Sequence, residues 1–360
     1  MNHWIVLSCL LVSLFSSPSR ALATTDGLYQ VTEPHPEEVR KILPFIQNYR
    51  QEGRLWLVSL KSPKTPSWVF HFLRIYDPKK MLHYTPQLKT LPTHLPTIDP
   101  AYLAMIKTTH LQNTVGKLAS YKNRAAGTPE NQSAQKWIAS ELQAMGYEVT
   151  QDCYSPNTCS VIAEKKGSNT TGGVILVEGH FDSVGKDYAG ADDNASGTAS
   201  TIEIARILKN YPNQNTLRFF LTNGEEIGLL GATHYSKVLA QSGHIKDLKL
   251  VINMDMVGYN SNGIVELETN AEYDSLAKWF AALTEKYTSL KSKITLGAWG
   301  SDHVPFLDLH VPTLLTIEDW STKSRCYHLE CDKAETMNFT YATEITRLNA
   351  AAVLTEDASP

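Results

Sequence analysis

Three apolar stretches of the sequence lead into side chains that can bind metal ions or move protons. VILVEGH ends in His180 with Asp182 two residues on, RFFLTNGEE ends in Glu225 and Glu226, and LVINMDM contains Asp255. Neighbouring carboxylates beside buried surface raise each other's proton affinity and cost stability. Their presence there therefore calls for a chemical explanation.

Two further segments add residues of the same kinds. The loop GADDNASG contributes Asp192 and Asp193, and CYHLEC contributes His328. Taken singly, each has a structural explanation, since a lone aspartate commonly caps a helix or a turn. Together, two histidines and several carboxylates at one edge of one predicted sheet favour a metal site.

Histidine nitrogen and carboxylate oxygen without cysteine suit zinc, with manganese or cobalt as possible substitutes. Five or more ligands exceed the roughly three protein ligands of one tetrahedral catalytic zinc. Two ions about 3.5–4 Å apart that share a carboxylate fit this count. One member of the Glu225–Glu226 pair can then bind metal while its neighbour handles the proton of a metal-bound water.

The pattern of helices and strands predicts an α/β fold. Apolar strand-like runs at residues 172–180, 216–226, 248–258 and 312–319 alternate with helical segments at residues 133–146, 196–210, 229–243, 271–287 and 339–354. Such alternation indicates a mostly parallel central sheet with helices on both faces. In sheets of this kind, ligands bind at the carboxyl ends of the strands.

Residues 24–100 differ in composition from the rest of the chain, being rich in Pro, Lys and Thr with short strand-like pieces such as residues 56–58. Residues 85–100 contain four prolines and are typical of an extended linker. We therefore expect a small N-terminal unit over residues 24–100 and a catalytic domain over residues 101–360.

The N-terminus predicts a secretory signal peptide over residues 1–23. An apolar stretch at residues 5–15 is followed by the small-residue triplet of residues 21–23, although the segment before it has no Lys or Arg. Eleven apolar residues are too few to cross a bilayer. A net charge of −4 gives no basic surface for nucleic acid or an anionic membrane. We therefore expect an exported, soluble protein that is a monomer.

Cleavage there leaves four cysteines, which allow three pairings. Their spacing favours two local bridges, Cys153–Cys159 and Cys326–Cys331, in an oxidising compartment. Four free thiols remain the alternative, and a zinc site made of these cysteines is disfavoured because neither pair has C-x2-C spacing.

Six blocks of the sequence together resemble the co-catalytic di-zinc aminopeptidases, typified by secreted bacterial leucyl aminopeptidases. The blocks are GHFDSVG, GADDNASGTA, NGEEIGLLGA, NMDMVGY, GSDHVPF and YHLECD, in the family's order, and the resemblance covers about residues 103–355. Glutaminyl cyclases share this fold.

The resemblance implies two Zn²⁺ ions per chain, held by five ligands. One zinc is held by His180 and Asp255 and the other by Glu226 and His328, while Asp193 bridges them. In relatives the peptide from the bridging aspartate to the next residue, here Asn194, is often cis.

The same resemblance implies the proton chemistry. Glu225 would act as general base and acid, and Asp182 would orient the metal-bound imidazole of His180, a recurring need in zinc sites. The activity implied is hydrolysis of the first residue from peptides or proteins that have a free N-terminus.

The implied side-chain pocket is lined by Met256, Leu315, Ile317 and Tyr327 and favours an apolar first residue. Because Glu318 and Asp319 are near, a preference for a basic first residue stays open. The family's cysteine pair and the tyrosine before SDH are absent from TLGAWGSDH, which has Trp299 nearby. The Cys326–Cys331 bridge would instead stiffen the loop of His328. Asp302 and His303 are interpreted as support beneath the site.

Three other functions stay open at this point. Glutaminyl cyclisation uses similar ligands and a single zinc, and a carboxypeptidase would need clustered arginine where only Arg325 lies near the ligands. A non-enzymatic ectodomain is disfavoured because no ligand has been lost. By its position, the segment over residues 24–100 resembles the family's propeptide, which assists folding or blocks the site.

Overall fold

The computed structural model describes residues 28–31, 44, 46–52, 55–60, 73–75, 97–259, 261–298 and 300–359. The predicted signal peptide and most of residues 24–96 lie outside the described residues, and so does Trp299. The chain divides into two compact units, Met1–Thr85 and Pro86–Pro360. The propeptide role and the boundary near residue 100 stay predictions.

The first unit contains a four-stranded antiparallel sheet. Its strands are β1 (Leu28–Val31), β2 (Ile46–Glu52), β3 (Leu55–Leu60) and β4 (Leu73–Ile75), in the order β2-β3-β1-β4. Both neighbours of β1 run antiparallel to it, as do β2 and β3 to each other. The strand-like residues 56–58 lie within β3.

The second unit is built on an eight-stranded sheet. Its strands are β5 (Glu148–Ser155), β6 (Thr158–Lys165), β7 (Val174–His180), β8 (Thr216–Thr222), β9 (Leu248–Met254), β10 (Ile264–Thr269), β11 (Lys291–Leu296) and β12 (Thr313–Glu318). Their order is β11-β10-β12-β9-β7-β8-β6-β5. The four central strands β12, β9, β7 and β8 are mutually parallel. The mixed α/β fold is thereby confirmed.

The outer strands depart from the parallel pattern. Strands β5 and β6 form an antiparallel hairpin that continues antiparallel onto β8, and β10 runs antiparallel to β12. None of β5, β6, β10 and β11 was predicted. The predicted strands are the four central ones. The strand predicted over residues 216–226 ends at Thr222, so both glutamates lie in the turn after β8.

Eight α-helices are found in the described part of the second unit. They are α1 (Pro100–Ala104), α2 (Thr108–Ala119), α3 (Pro129–Ala144), α4 (Gly197–Leu208), α5 (Leu230–Ser242), α6 (Asp274–Tyr287), α7 (Val304–Leu307) and α8 (Phe339–Asp357). Helix α3 begins at Pro129 because the Thr128 side chain accepts the Asn131 N–H. The five predicted helices correspond to α3, α4, α5, α6 and α8.

Helices pack on both faces of the sheet, as expected. One core joins Val177, Phe219 and Ile252 of the central strands to residues of α2, α3, α4, α6 and α8. The opposite face, through Leu176 and Phe220, packs on α5 and α7. Because the central strands are apolar on both faces, polar groups are left at their carboxyl ends, where the strands leave the core.

Both predicted disulfides, Cys153–Cys159 and Cys326–Cys331, are present. The first lies across the β5–β6 hairpin, and the second closes a loop after β12. Among the described residues, no helix has the length and apolar character needed to cross a membrane.

Candidate metal centre

Adjacent parallel strands deliver the predicted ligands to one edge of the sheet. His180 is the last residue of β7, and Asp255 directly follows β9. Glu225 and Glu226 come after β8, which pairs with β7 so that Thr222 lies opposite His180. Because these strands are parallel, their carboxyl ends meet at the same edge.

Asp193 reaches this edge from the short loop that precedes α4. The peptide bond between Asp193 and Asn194 is cis, as the resemblance implied. The carboxylate of Asp332 accepts hydrogen bonds from the backbone N–H groups of Asp192 at 2.9 Å and Asp193 at 3.0 Å. Asp192 itself is buried and accepts the N–H of Gly258 at 2.8 Å. The two aspartates of the loop therefore have different roles.

His328 lies in the loop closed by the Cys326–Cys331 disulfide. Its backbone is in the left-handed region, with a φ of 54°, where a side chain other than glycine is strained. The ring of Tyr327 stacks on its imidazole with 3.9 Å between the ring centroids. The bridge and the stacking both restrict how the imidazole can move.

The ligand atoms fall into overlapping groups around Asp193. His180 Nε2 is 3.3 Å from Asp193 Oδ1 and 3.4 Å from Asp255 Oδ1. His328 Nε2 is 3.0 Å from Asp193 Oδ2 and 3.0 Å from Glu226 Oε2. In each group the ligand atoms lie within 4.8 Å of one another. The structure thus brings all five predicted ligands together, with one oxygen of Asp193 toward each histidine.

The donor set and its unsatisfied atoms fit metal ions. Three buried atoms, His180 Nε2, Asp255 Oδ1 and Glu226 Oε1, have no hydrogen-bond partner among the described residues. Buried polar atoms normally have one, so such a concentration at one point needs an explanation. A set of nitrogen and carboxylate oxygen donors without a thiolate accommodates zinc.

Asp182 connects the first histidine to the glutamate turn. Its Oδ1 is 3.5 Å from His180 Nδ1, on the side of the ring opposite the ligand atom. The same carboxylate accepts the backbone N–H groups of Glu225 and Glu226, both at 3.2 Å. Asp182 is fully buried, so it fixes the ring and the turn relative to each other.

Glu225 lies beside the ligands around Asp193, in a further group of possible ligand atoms with His180 and Glu226. Its Oε2 is 3.8 Å from His180 Nε2. Burial raises its pKa well above the usual range, the nearby His180 opposes this, and the neighbouring charges of Glu226 and Asp255 add to the increase. A carboxyl group with raised proton affinity beside a metal site is suited to general base and acid work.

Burial and neighbouring charges shift the pKa values of the other residues of the site. Burial raises the pKa of Glu226 to about 7, with Asp193 adding to the increase and His328 opposing it. Burial favours neutral imidazole, yet the surrounding carboxylates raise the pKa values of His180 and His328 well above 6.5. Burial also acts against ionisation of Asp193, but its interactions with both histidines hold its pKa below the usual range.

A buried polar layer supports the edge from below. Ser301 Oγ donates to Asp255 Oδ2 at 2.7 Å and accepts from Asn253 Nδ2 at 2.8 Å. The next residue, Asp302, accepts a hydrogen bond from the Thr222 hydroxyl. His303 Nε2 lies 3.4 Å from a Glu268 oxygen. These contacts agree with the supporting role expected for the SDH segment.

Sequence reasoning missed Arg124, a fully buried cation beside the centre. Its guanidinium donates to the carbonyl oxygens of Phe181 at 2.8 Å, Leu118 at 2.9 Å, Ala189 at 2.5 Å and Gly190 at 2.8 Å. Burial lowers its pKa to about 10, against the attraction of four acids of the site, which are Asp332, Asp182, Asp193 and Glu226. It therefore holds both the β7 end and the Asp193 loop in place and balances part of the negative charge.

The predicted pocket residues form one apolar group beside Asp255. Met256, Leu315 and Ile317 are buried together, with Tyr327 and Trp320 packed against them. The Trp320 and Tyr327 rings meet edge to face, with 5.3 Å between their centroids. Trp320 was missed because the sequence gives no signal that its loop folds back over the end of β12.

The two acids near this pocket already have partners. The carboxylate of Glu318 accepts the N–H groups of Tyr259 at 3.1 Å and Ser324 at 2.7 Å. Asp319 binds Lys293 at 2.8 Å and caps the next turn of the chain. Neither is therefore placed as the partner of a basic substrate side chain.

Comparison with known proteins shows the family to which this chain belongs. A family model described as Peptidase family M28 matches residues 160–353, which carry all the predicted ligands. The chain belongs to peptidase family M28. Members of this family are named as peptidases, and the M28 chain is 38% identical over 136 residues to aminopeptidase YwaD of Bacillus subtilis, covering 37% of the chain and 29% of that relative.

A second relative of the M28 chain is leupeptin-inactivating enzyme 1 of Streptomyces exfoliatus. The two are 27% identical over 240 residues, which is 61% of this chain and 53% of the relative. A probable zinc metalloprotease of Pyrenophora tritici-repentis is 28% identical over 227 residues, covering 54% of the chain and 51% of the relative. The M28 chain spans about half or less of the length of these curated relatives.

Solved structures confirm the fold. The LapA aminopeptidase of Legionella pneumophila superposes with a TM-score of 0.72 at 19% identity, covering 92% of this chain and 98% of that one. A glutaminyl cyclase of Bacteroides thetaiotaomicron gives a TM-score of 0.59 at 18% identity, covering 72% and 99%. Since the two carry different names, the fold alone does not choose between their activities.

Proposed function

We propose that this M28 chain is an exported zinc aminopeptidase that uses two zinc ions to remove the first residue of a peptide. The observation that carries the proposal is the position of the Asp193 carboxylate. One of its oxygens lies 3.3 Å from His180 and the other lies 3.0 Å from His328. A carboxylate shared in this way is the expected bridge of a two-metal hydrolytic site.

Five residues would hold the two ions. Asp255 completes the group of His180, Glu226 completes the group of His328, and Asp193 belongs to both. Zinc bound here would supply Lewis acidity to a peptide carbonyl and to a water molecule. Asp182 would keep the His180 ring oriented with Nε2 toward the ion, as carboxylates do for metal-bound histidines.

Glu225 would move the proton. Its carboxylate takes a proton from the water that attacks the carbonyl carbon, and the same oxygen later gives that proton to the departing amine nitrogen. The base becomes an acid between the two steps, so that no net proton is gained or lost by the enzyme. The turn bonded to Asp182 holds Glu225 at the mouth of the site for both steps.

The side chain of the first residue would enter the apolar group of Met256, Leu315, Ile317 and Tyr327. A pocket lined by aliphatic and aromatic carbon favours an apolar side chain by the surface that it removes from water. We expect leucine or methionine to be preferred to aspartate or lysine, because Glu318 and Asp319 are engaged elsewhere.

A panel of aminoacyl-p-nitroanilides, assayed with and without a chelator, tests the proposed activity. Leucyl substrate should be cleaved, and removal of zinc should abolish cleavage until zinc is returned. Peptides that begin with glutamine should be assayed in parallel by mass spectrometry. Formation of pyroglutamate without release of the first residue would contradict the aminopeptidase proposal and identify the enzyme as a glutaminyl cyclase.

Export and activation form the remaining part of the proposal. The signal peptide over residues 1–23 and a propeptide over residues 24–100 are supported by sequence pattern, and the two disulfides agree with an oxidising compartment. We expect the mature enzyme to be a monomer. Mass analysis of the exported protein would locate the cleavage sites. Full activity in an uncleaved preparation would rule out an inhibitory propeptide.

A further inference from the structure

Ile227 is an exposed apolar residue next to the metal centre. It directly follows Glu226, and 54% of its surface is exposed to solvent. The turn around it is closed by three backbone hydrogen bonds of 2.9 Å, from Gly228 and Leu229 to the carbonyl of Glu225 and from Leu230 to the carbonyl of Gly224. The exposure therefore belongs to a fixed turn.

The residue type at this position is unusual for a turn. Tight turns favour Gly, Asn, Asp, Ser and Pro, whose backbone or side chains suit the geometry. A β-branched apolar side chain at the tip of such a turn stabilises neither the turn nor the core. A ligand that covers Ile227 would explain its presence.

Two other apolar residues are exposed along the same edge. Val184 comes after β7 and Leu230 begins α5, and each is 37% exposed. Since β7 and β8 are adjacent and parallel, the segments after them lie side by side. Single exposed apolar residues are ordinary, whereas an apolar group with a polar surround marks a binding surface. We call Val184, Ile227 and Leu230 the β8 rim.

The β8 rim lies across the metal centre from the proposed pocket for the first residue. Met256 comes after β9 and Leu315 lies in β12, whereas the β8 rim comes after β7 and β8. In the order β12-β9-β7-β8, Leu315 of β12 and Ile227 after β8 lie at opposite ends, with the ligands of β9 and β7 between them. A peptide with its first side chain over β12 and its scissile bond at the ligands would extend its next residue over β8.

The β5–β6 hairpin bounds the β8 rim on its outer side. The Tyr154 hydroxyl packs so closely on Gly224 that a Cβ placed there would lie 2.1 Å from it. His234 of α5 pairs with Asp152 of β5 at 2.8 Å. The Cys153–Cys159 bridge fixes this hairpin, so the rim is flanked by rigid structure.

We propose that the β8 rim, with Ile227 at its centre, is a subsite for an apolar side chain on the residue that comes after the scissile bond. This rests on the proposed aminopeptidase function and extends it to the second residue of the substrate. Its preference is independent of the first-residue pocket because the two apolar groups share no residue.

Leucine-initiated dipeptide amides test the subsite, with leucine or glycine as the second residue. The wild-type enzyme should favour Leu-Leu-amide over Leu-Gly-amide by about tenfold in kcat/KM, the value of one well-buried apolar contact. Ile227→Ser should reduce this ratio to about twofold, and Ile227→Leu should retain most of it. The preference for leucine over alanine as first residue should not change in Ile227→Ser.

Val238→Ser is the matched control, since Val238 is 39% exposed on the same α5 helix but two turns further along. It should leave both preferences as in the wild type. An unchanged second-residue ratio in an active Ile227→Ser enzyme would overturn the subsite and leave the aminopeptidase proposal standing. A wild-type enzyme that cleaves neither dipeptide would instead remove the aminopeptidase proposal and the subsite with it.

Discussion

Asp182 accepts the backbone N–H of Glu225 at 3.2 Å, and its other contacts are inside the same centre. One fully buried carboxylate therefore sets both the orientation of the His180 ring and the place of the proposed base. Metal binding and proton transfer are coupled through this residue. The coupling determines which substitutions can separate the two functions and which cannot.

Glu225→Gln should impair proton transfer and leave metal binding intact. The amide cannot accept the proton of the attacking water, and no ligand around Asp193 is removed. We expect kcat to fall by about 10²- to 10⁴-fold, the usual contribution of a general base. Zinc content, measured by elemental analysis, should stay as in the wild type. Glu330→Gln, an exposed acid two residues from His328, is the control and should be fully active.

Substitutions of the ligands should distinguish a bridged pair of ions from a single one. Asp193→Asn should remove both zinc ions because Asp193 belongs to both groups of ligand atoms. Glu226→Gln and Asp255→Asn should each leave about one zinc per chain, since each contacts one histidine. Equal zinc contents in all three variants, determined after gel filtration, would contradict the bridging role.

The central strands and the ligands could be predicted from sequence for one physical reason. Strands buried on both faces give continuous apolar runs, and polar residues directly after such runs lie at the ligand-binding edge. Strand β10 does not fit this pattern because it carries Glu266 and Glu268 in the sheet interior. Lys293 pairs with Glu266 at 3.0 Å and His303 Nε2 lies 3.4 Å from Glu268, and only the folded chain brings these residues near each other.

Arg124 and Asp332 are residues of the site whose roles could not be predicted from the sequence. Both act on the backbone of the Asp193 loop, Arg124 by donating to the Gly190 carbonyl and Asp332 by accepting the Asp193 N–H. Hydrogen bonds to the main chain leave no pattern of residue types at the partner position. Their sequence separations from the loop, 66 and 139 residues, also exclude any local signal.

The metal-free protein should lose stability as the pH rises from about 4.5 to about 7. Burial raises the pKa of Glu226 from 4.5 to about 7 and that of Asp302 from 3.8 to about 7. In this window the folded state binds more protons than the unfolded state, so the free energy of unfolding falls with increasing pH. The lowered pKa of Asp193 makes the free energy of unfolding rise with pH, but this effect lies below that pH window.

Urea midpoints of the chelator-treated protein across that pH range measure the effect. Added zinc should stabilise most at the upper end, where its ligands are ionised. Glu226→Gln should reduce the slope of the metal-free protein because the amide does not titrate. A metal-free midpoint that rises steadily from pH 5 to pH 7 would contradict these assignments.

Arg124→Met should destabilise the protein by about 3–5 kcal/mol, since four carbonyl oxygens, three of them buried, lose their donors and the site acids lose a fixed positive charge. Urea unfolding with zinc bound gives the value. Arg124→Lys keeps the charge but cannot reach all four oxygens, so it should recover part of the loss. Arg325→Met, at an exposed position, should change stability by less than about 0.5 kcal/mol.

The Cys326–Cys331 bridge should contribute to zinc affinity as well as to stability. It closes the loop of His328, whose φ of 54° is a strained conformation for an imidazole-bearing residue. Asp332, which directly follows Cys331, holds the Asp193 backbone at 3.0 Å. Opening the bridge therefore loosens a ligand and an anchor of the shared carboxylate together.

The double substitution Cys326→Ser with Cys331→Ser should weaken zinc binding by about 10- to 100-fold, the usual effect of losing support around a metal ligand. Competition with a chromophoric chelator measures the dissociation constants. Cys153→Ser with Cys159→Ser removes the other bridge, which lies across the β5–β6 hairpin, and should lower stability without changing zinc affinity. Equal zinc affinity in the two double variants would show that the loop of His328 is held by its packing on Tyr327 and needs no covalent closure.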